Sequence, residues 1–230
     1  MTHTMMTQMT GMYGGGAVST VRVNPQFAVE LGQVWGSLFY SSDQHALRTV
    51  MVTSAVPGEG ASTVAAGMAL VGAEAQREVT VALVDLNLHQ PALHNLLRVP
   101  VSPGLTDIIR GQVHLAGGCH RAGFENLFVF PVGSEAGSGL GLVRSAGLRQ
   151  MLTDLAANFD HVILDVPAAA VFPEAQMLAR TVDGTLLVCR SASTPREQIA
   201  EAKKRIEMGQ GKIAGMVLTD YRSPLPGWIG

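Results

Sequence analysis

Between Thr49 and Asp85 the hydrophobic pattern of the chain changes period twice, and this restricts the fold more than any other feature. Thr49-Val50-Met51-Val52-Thr53 is a short β-branched run leading into the turn Val56-Pro57-Gly58-Glu59-Gly60. Ser62 to Gln76 is Ala-rich and helical in pattern, and Val79-Thr80-Val81-Ala82-Leu83-Val84 is a strand run again, ending at Asp85. Strand, glycine turn, helix and strand in direct succession make a βαβ unit, with parallel strands and a right-handed crossover. The strand runs are apolar without alternation, so both faces of their sheet must be covered.

The pattern continues downstream. Further strands are expected at 127–130, 161–164, 184–189 and 213–218, and helices at 25–40, 142–158, 172–181 and 195–208. That is about six strands, too few for the eight of a closed (β/α) barrel. The expected fold is α/β: a doubly wound, mostly parallel sheet with helices on both faces. Residues 1–24, rich in Met, Thr and Gly, read as a disordered N-terminal tail, and residues 25–230 as a single domain.

Composition narrows the function classes. With 47% hydrophobic and 15% charged residues the chain is core-rich and globular. A net charge of −2 gives no electrostatic basis for binding nucleic acid or an anionic membrane. No basic segment precedes an apolar run at the start and no run reaches about 18 apolar residues, so a soluble, cytoplasmic protein is expected. Cys119 and Cys189 lack metal-ligand spacing and read as reduced thiols, with Cys119-His120 in a loop.

In an open parallel sheet, ligands bind at the carboxyl ends of the strands. Three such ends carry chemistry here. Gly58 and Gly60 can turn successive backbone N–H groups inward as an anion nest, and the helix starting near Ala61 adds the positive end of its dipole. The candidate phosphate-binding residues are Gly58, Glu59, Gly60, Ala61, Ser62 and Thr63. Ser62 or Thr63 offers a hydroxyl to Mg²⁺, and Asp85 and Asp165 stand where they would hold that ion or its waters, so the candidate metal residues are Ser62, Asp85 and Asp165. The structural alternative is a tight βα turn with aspartates that cap the following loops.

These residues resemble a known family, the bacterial tyrosine kinases (BY-kinases) of exopolysaccharide and capsule synthesis, P-loop ATPases related to the Min and Par partitioning proteins. The family loop S-A-x-P-G-E-G-K-S-T is similar to Ser54-Ala55-Val56-Pro57-Gly58-Glu59-Gly60-Ala61-Ser62-Thr63. Its D-x-D-x-R-x-P motif resembles Asp85-Leu86-Asn87-Leu88-His89-Gln90-Pro91, and F-D-x-V-I-I-D-T-P resembles Phe159-Asp160-His161-Val162-Ile163-Leu164-Asp165-Val166-Pro167. The resemblance spans about Glu30 to Tyr221 and implies ATP or ADP with Mg²⁺ as cofactors. It also implies ATP-dependent tyrosine kinase activity, with Asp85 and Asp165 as the family-equivalent catalytic acids.

The departures fall on the chemistry. Ala61 replaces the lysine that contacts the terminal phosphates, Asn87 replaces an acid, and His89 replaces an arginine. Losing hydrogen bonds to a charged group costs about 1.5–3 kcal/mol, or about 10- to 100-fold in nucleotide affinity. The three lysines, Lys203, Lys204 and Lys212, lie far downstream, and Arg48 precedes the first strand, away from the loop. The family's tyrosine cluster is reduced to Tyr13, Tyr40 and Tyr221, and its ring-forming E-x-x-R-x-x-R reads Glu30-Leu31-Gly32-Gln33-Val34-Trp35-Gly36. The resemblance therefore implies a pseudokinase: a regulatory or scaffold subunit that partners an inner-membrane polysaccharide co-polymerase (chain-length) protein, with weak or absent nucleotide binding and no family ring. Such a subunit would be peripheral at the inner membrane through that partner, with Trp228 and Ile229 as a docking foot or folded back on the domain. A residual ATPase or tyrosine kinase, and a Min/Par-type positioning protein, are the alternatives.

Overall fold

The computed structural model describes residues 23–40, 47–134 and 138–221. Helix α1 (Pro25–Phe39) is followed by strand β1 (Thr49–Ser54), helix α2 (Ala61–Ala75) and strand β2 (Val81–Asp85), which is the expected βαβ unit. Two short helices, α3 (Leu93–Leu97) and α4 (Leu105–Ile109), lead to the antiparallel pair β3 (His120–Ala122) and β4 (Phe124–Phe130). Helices α5 (Gly139–Arg144) and α6 (Ala146–Asn158) precede β5 (His161–Asp165). Helix α7 (Glu174–Leu178), strand β6 (Gly184–Arg190), helix α8 (Arg196–Met208) and strand β7 (Ile213–Thr219) complete the order.

The sheet has seven strands in the order β3-β4-β2-β5-β1-β6-β7, parallel except at β3–β4. The expectation of about six strands missed β3. Its three residues give too short a run to show a period, and His120, read as loop, opens it. The expected helix at 142–158 is two helices, because the Ser145 hydroxyl accepts the Leu148 N–H at 3.0 Å and starts α6 afresh. Residues 1–22 and 222–230, which hold most of the expected tail, Tyr13, Trp228 and Ile229, lie outside the described residues. Val23 and Asn24, assigned to that tail, are described, and Asn24 caps α1 by accepting the Gln26 N–H at 3.0 Å.

Successive strand residues face opposite layers, so the sheet carries two cores. Val50, Val52, Leu83 and Ile163 pack beneath α1, α2 and α3, with Trp35, Met68 and Leu97 among the buried side chains there. Met51, Val84, Phe130 and Leu164 pack on the other face against α6, α7 and α8, through Leu148, Leu178 and Ile206. Helices thus cover both faces, the doubly wound arrangement expected from the apolar runs. No helix among the described residues is long and apolar enough to cross a membrane.

Candidate functional site

The strand order places β1 between β5 and β6, with β2 beyond β5, so the ends of β1, β2 and β5 open onto one side of the sheet. The glycine loop leaves β1 there. Gly58 (φ 84°) and Gly60 (φ 94°) both occupy the left-handed region, which turns the backbone N–H groups inward as the nest requires. Gly60 is the N-cap of α2, and the fifteen-residue helix brings its positive end to the loop. A cavity of about 430 Å³ opens over this turn, lined by Gly58, Gly60, Ala61, Ser62 and Thr63 from the loop and by Asn87 and His89 from the segment after β2.

Glu59 faces the other way. It is 3% exposed, and its carboxylate accepts the Val56 N–H at 3.0 Å, the Arg190 N–H at 3.4 Å and the Thr194 hydroxyl. The loop is braced further by the Arg190 guanidinium, which donates to the Gly58 carbonyl at 2.6 Å, and by the Thr219 hydroxyl, which donates to the Glu59 carbonyl at 2.8 Å. Glu59, expected among the phosphate-binding residues, therefore holds the loop in shape through its side chain. Arg190, Thr194 and Thr219 were not singled out in the sequence, because their partner lies more than a hundred residues away.

The two aspartates are register partners on adjacent parallel strands, Asp85 on β2 against Asp165 on β5, and both are fully buried. Asp85 is committed locally: one oxygen accepts the Asn87 N–H at 3.1 Å and the other accepts the Ala92 and Leu93 N–H groups, each at 3.2 Å. Burial pushes its pKa up to about 6, although those three N–H groups pull it down. For Asp85 the capping alternative thus describes the local bonding. Asp165 differs, since neither oxygen has a partner at hydrogen-bonding geometry. Burial first, then the charge of Asp85, holds its carboxyl well above the usual range, with the Ser62 hydroxyl drawing it partly back.

A buried carboxylate without partners is costly to fold around. Its orphaned oxygens and the neighbouring Ser62 hydroxyl make an oxygen donor set of the kind that suits a hard divalent cation such as Mg²⁺, although Asp165 does not itself line the cavity. Among the described residues no group of three or more His, Cys, Asp or Glu could cage a metal, so such an ion would need phosphate oxygens and water to complete its shell. When bound, Mg²⁺ supplies charge that offsets the phosphates.

The remaining candidates are placed as follows. Ala61, at the first turn of α2, is almost completely buried and brings no charge to the loop. Asn87 accepts the Gln90 N–H at 3.2 Å and so stabilises its own turn. Arg48 donates to the Ala156 and Phe159 carbonyls, each at 3.3 Å, at the opposite ends of the strands. None of the three lysines lines the cavity. His89, which replaces an arginine of the family motif, is exposed, bonded through Nε2 to Glu174 Oε1 at 2.9 Å and stacked on Phe172.

No protein-family model matches the chain. It is 29% identical over 199 residues to the tyrosine-protein kinase YwqD of Bacillus subtilis, covering 86% of this chain and 78% of that one. In structure it is similar to the chimerical protein CapA2B2 (TM-score 0.79, 20% identity, 94% of this chain and 99% of that one). It also shares its fold with the septum site-determining protein MinD of Pyrococcus horikoshii, solved in complex with Mg-ADP (TM-score 0.63, 21% identity, 79% of this chain and 75% of that one). The P-loop-type fold, the PGEG form of the turn and this relationship make the chain similar to the bacterial tyrosine-protein kinases.

Proposed function

We propose that this protein is a nucleotide-binding, non-catalytic member of that family: a regulatory or scaffold subunit of bacterial exopolysaccharide or capsule assembly. It would act in the cytoplasm beside an inner-membrane co-polymerase protein. The observation that carries this reading is the contrast within one cavity. The amide nest, the helix dipole and Ser62 are in place, with Asp165 buried beside Ser62, yet among the described residues no lysine or arginine lines the cavity. Such a site can hold a phosphate chain through neutral donors. It lacks the mobile cation that stabilises charge developing on a transferred phosphoryl group. The role in polymer assembly and the membrane partner rest on the resemblance to the family.

Calorimetric titration with ATP and ADP, with and without Mg²⁺, tests the reading directly. Wild type should bind with an affinity that Ala61→Lys improves about 10- to 100-fold, the equivalent of the missing charged hydrogen bonds. Phosphate transfer to tyrosine should be absent in wild type. Measurable turnover that disappears in Asp165→Asn would overturn the non-catalytic reading. The unpartnered carboxylate of Asp165 is the observation that keeps an atypical ATPase or kinase as the second reading.

A further inference from the structure

Among the described residues, the cavity over the glycine loop has one ionisable side chain in its wall, and that side chain is His89. The histidine is a built feature. Its Nε2 lies 2.9 Å from Glu174 Oε1, with side-chain exposures of 37% for His89 and 3% for Glu174. Its ring stacks on Phe172 with centroids 4.0 Å apart and planes 22° from parallel. Glycine at position 139 lets the start of α5 close over the pair, since a Cβ there would come within 2.5 Å of Glu174 Oε1 and 3.5 Å of His89 Nε2. The second oxygen of Glu174 is buried without a partner, so the carboxylate is oriented by His89.

An ionised carboxylate can only accept, so in the neutral ring Nε2 carries the hydrogen and Nδ1 is a bare lone pair. That form offers nothing to an anion. Protonation of Nδ1 changes this: the ring becomes a cation with a second N–H, while its first remains bonded to Glu174 as a charge-assisted pair. Among the described residues Glu174, on α7, is the charged group against the ring, and its other two neighbours, Phe172 and Gly139, carry no charge.

We propose that His89, held by Glu174, is the phosphate-recognition cation of this cavity, and that binding a phosphoryl anion takes up one proton at Nδ1. The ligand class is a polyphosphate group, whether free or the tail of a nucleotide. The nucleotide case rests on the function proposed above. Because the coupling is reciprocal, a ligand that binds the protonated ring must weaken as the proton is withdrawn, by at most about tenfold per pH unit.

The test is calorimetry with pyrophosphate and, separately, ATP, both without metal, at pH 6 and pH 8 in two buffers of different ionisation heat. Wild type should take up more protons than His89→Gln and lose about tenfold or more in affinity at pH 8 relative to that variant; the titration of the ligand itself cancels in the difference. His89→Arg should bind more tightly than His89→Gln at pH 8 and show the same shallow pH slope. An identical pH slope in wild type and His89→Gln overturns the inference, and if ATP still binds, the nucleotide reading stands without it. Pyrophosphate binding with histidine-dependent proton uptake but no ATP binding leaves the inference standing and removes the nucleotide reading. No binding of either ligand removes both. If His89→Gln fails to fold, ¹⁵N NMR of wild type decides: Nδ1 must gain a proton on addition of pyrophosphate, and an unchanged histidine spectrum overturns the proposal.

Discussion

Asp165 stands fully buried at the end of a central strand, with no hydrogen-bond partner for either oxygen at bonding geometry and Asp85 beside it in register. Both carboxyls are held above their ordinary values, and the sign of the consequence follows. Below the unfolded value both states are protonated and the pair costs nothing. As pH rises from the ordinary carboxylate range toward about 6, the value for Asp85, the unfolded chain ionises while the native state resists, so stability is lost over that window. Asp165→Asn should therefore raise the unfolding free energy from urea titration at pH 8 by on the order of 1–3 kcal/mol and change it little at pH 4. The same variant should weaken the Mg²⁺-dependent part of ATP binding. A lower midpoint at pH 8 would mean that the carboxylate serves the fold. The sequence displayed Asp85 and Asp165 as equals at two strand ends. Their difference lies in the residues that follow, where a turn after Asp85 returns three N–H groups to it and the chain after Asp165 returns none.

At the scale of elements, α1 and α2 fit together through missing side chains on α2. A Cβ at Gly72 would meet three ring carbons of Trp35 at 2.4–2.5 Å. That ring is 2% exposed and packed against Phe39 and His161, with no room to retreat. Replacing glycine by alanine inside a helix ordinarily adds about 0.5–1 kcal/mol. Here Gly72→Ala should lower the melting temperature instead, as overpacking of about 1–3 kcal/mol outweighs the gain, and Trp35→Phe in the same background should recover part of the loss. Thermal unfolding followed by circular dichroism distinguishes these outcomes. The hydrophobic pattern located α1 and α2 in the sequence, and the α1 glycines Gly32 and Gly36 are less crowded. Periodicity reports which face is apolar and not how closely two backbones approach. The same limit explains β3, α3 and α4, each too short for a period to register. It explains too the inward turn of Glu59 and the grip of Glu174 on His89, 85 residues apart.

For the whole molecule, the strand order was less legible than the strands. Successive apolar runs established a parallel sheet with two covered faces, while their lateral order depends on which helix packs where, a property no local window contains. Self-association belongs to this scale. Gln33 is exposed on α1, and a Cβ at Gly36 would meet nothing within 4 Å, so both positions where the family carries ring-forming arginines are open to larger side chains. Sedimentation of wild type should show a monomer at micromolar concentration, and Gln33→Arg with Gly36→Arg should shift it toward larger species that high salt disperses. A wild-type ring would show that the assembly does not need the arginine forks.

The bracing of the glycine turn has a kinetic corollary. Glu59, Arg190, Thr194 and Thr219 tie the turn to the ends of β6 and β7, with hydrogen bonds to the side chain or backbone of the turn itself. A receptor cast in its final shape has no slow rearrangement to make when an anion arrives. The observed association rate should then climb in proportion to ligand concentration, with no plateau to mark a conformational gate. Differences in affinity between ligands would appear in how long each one stays.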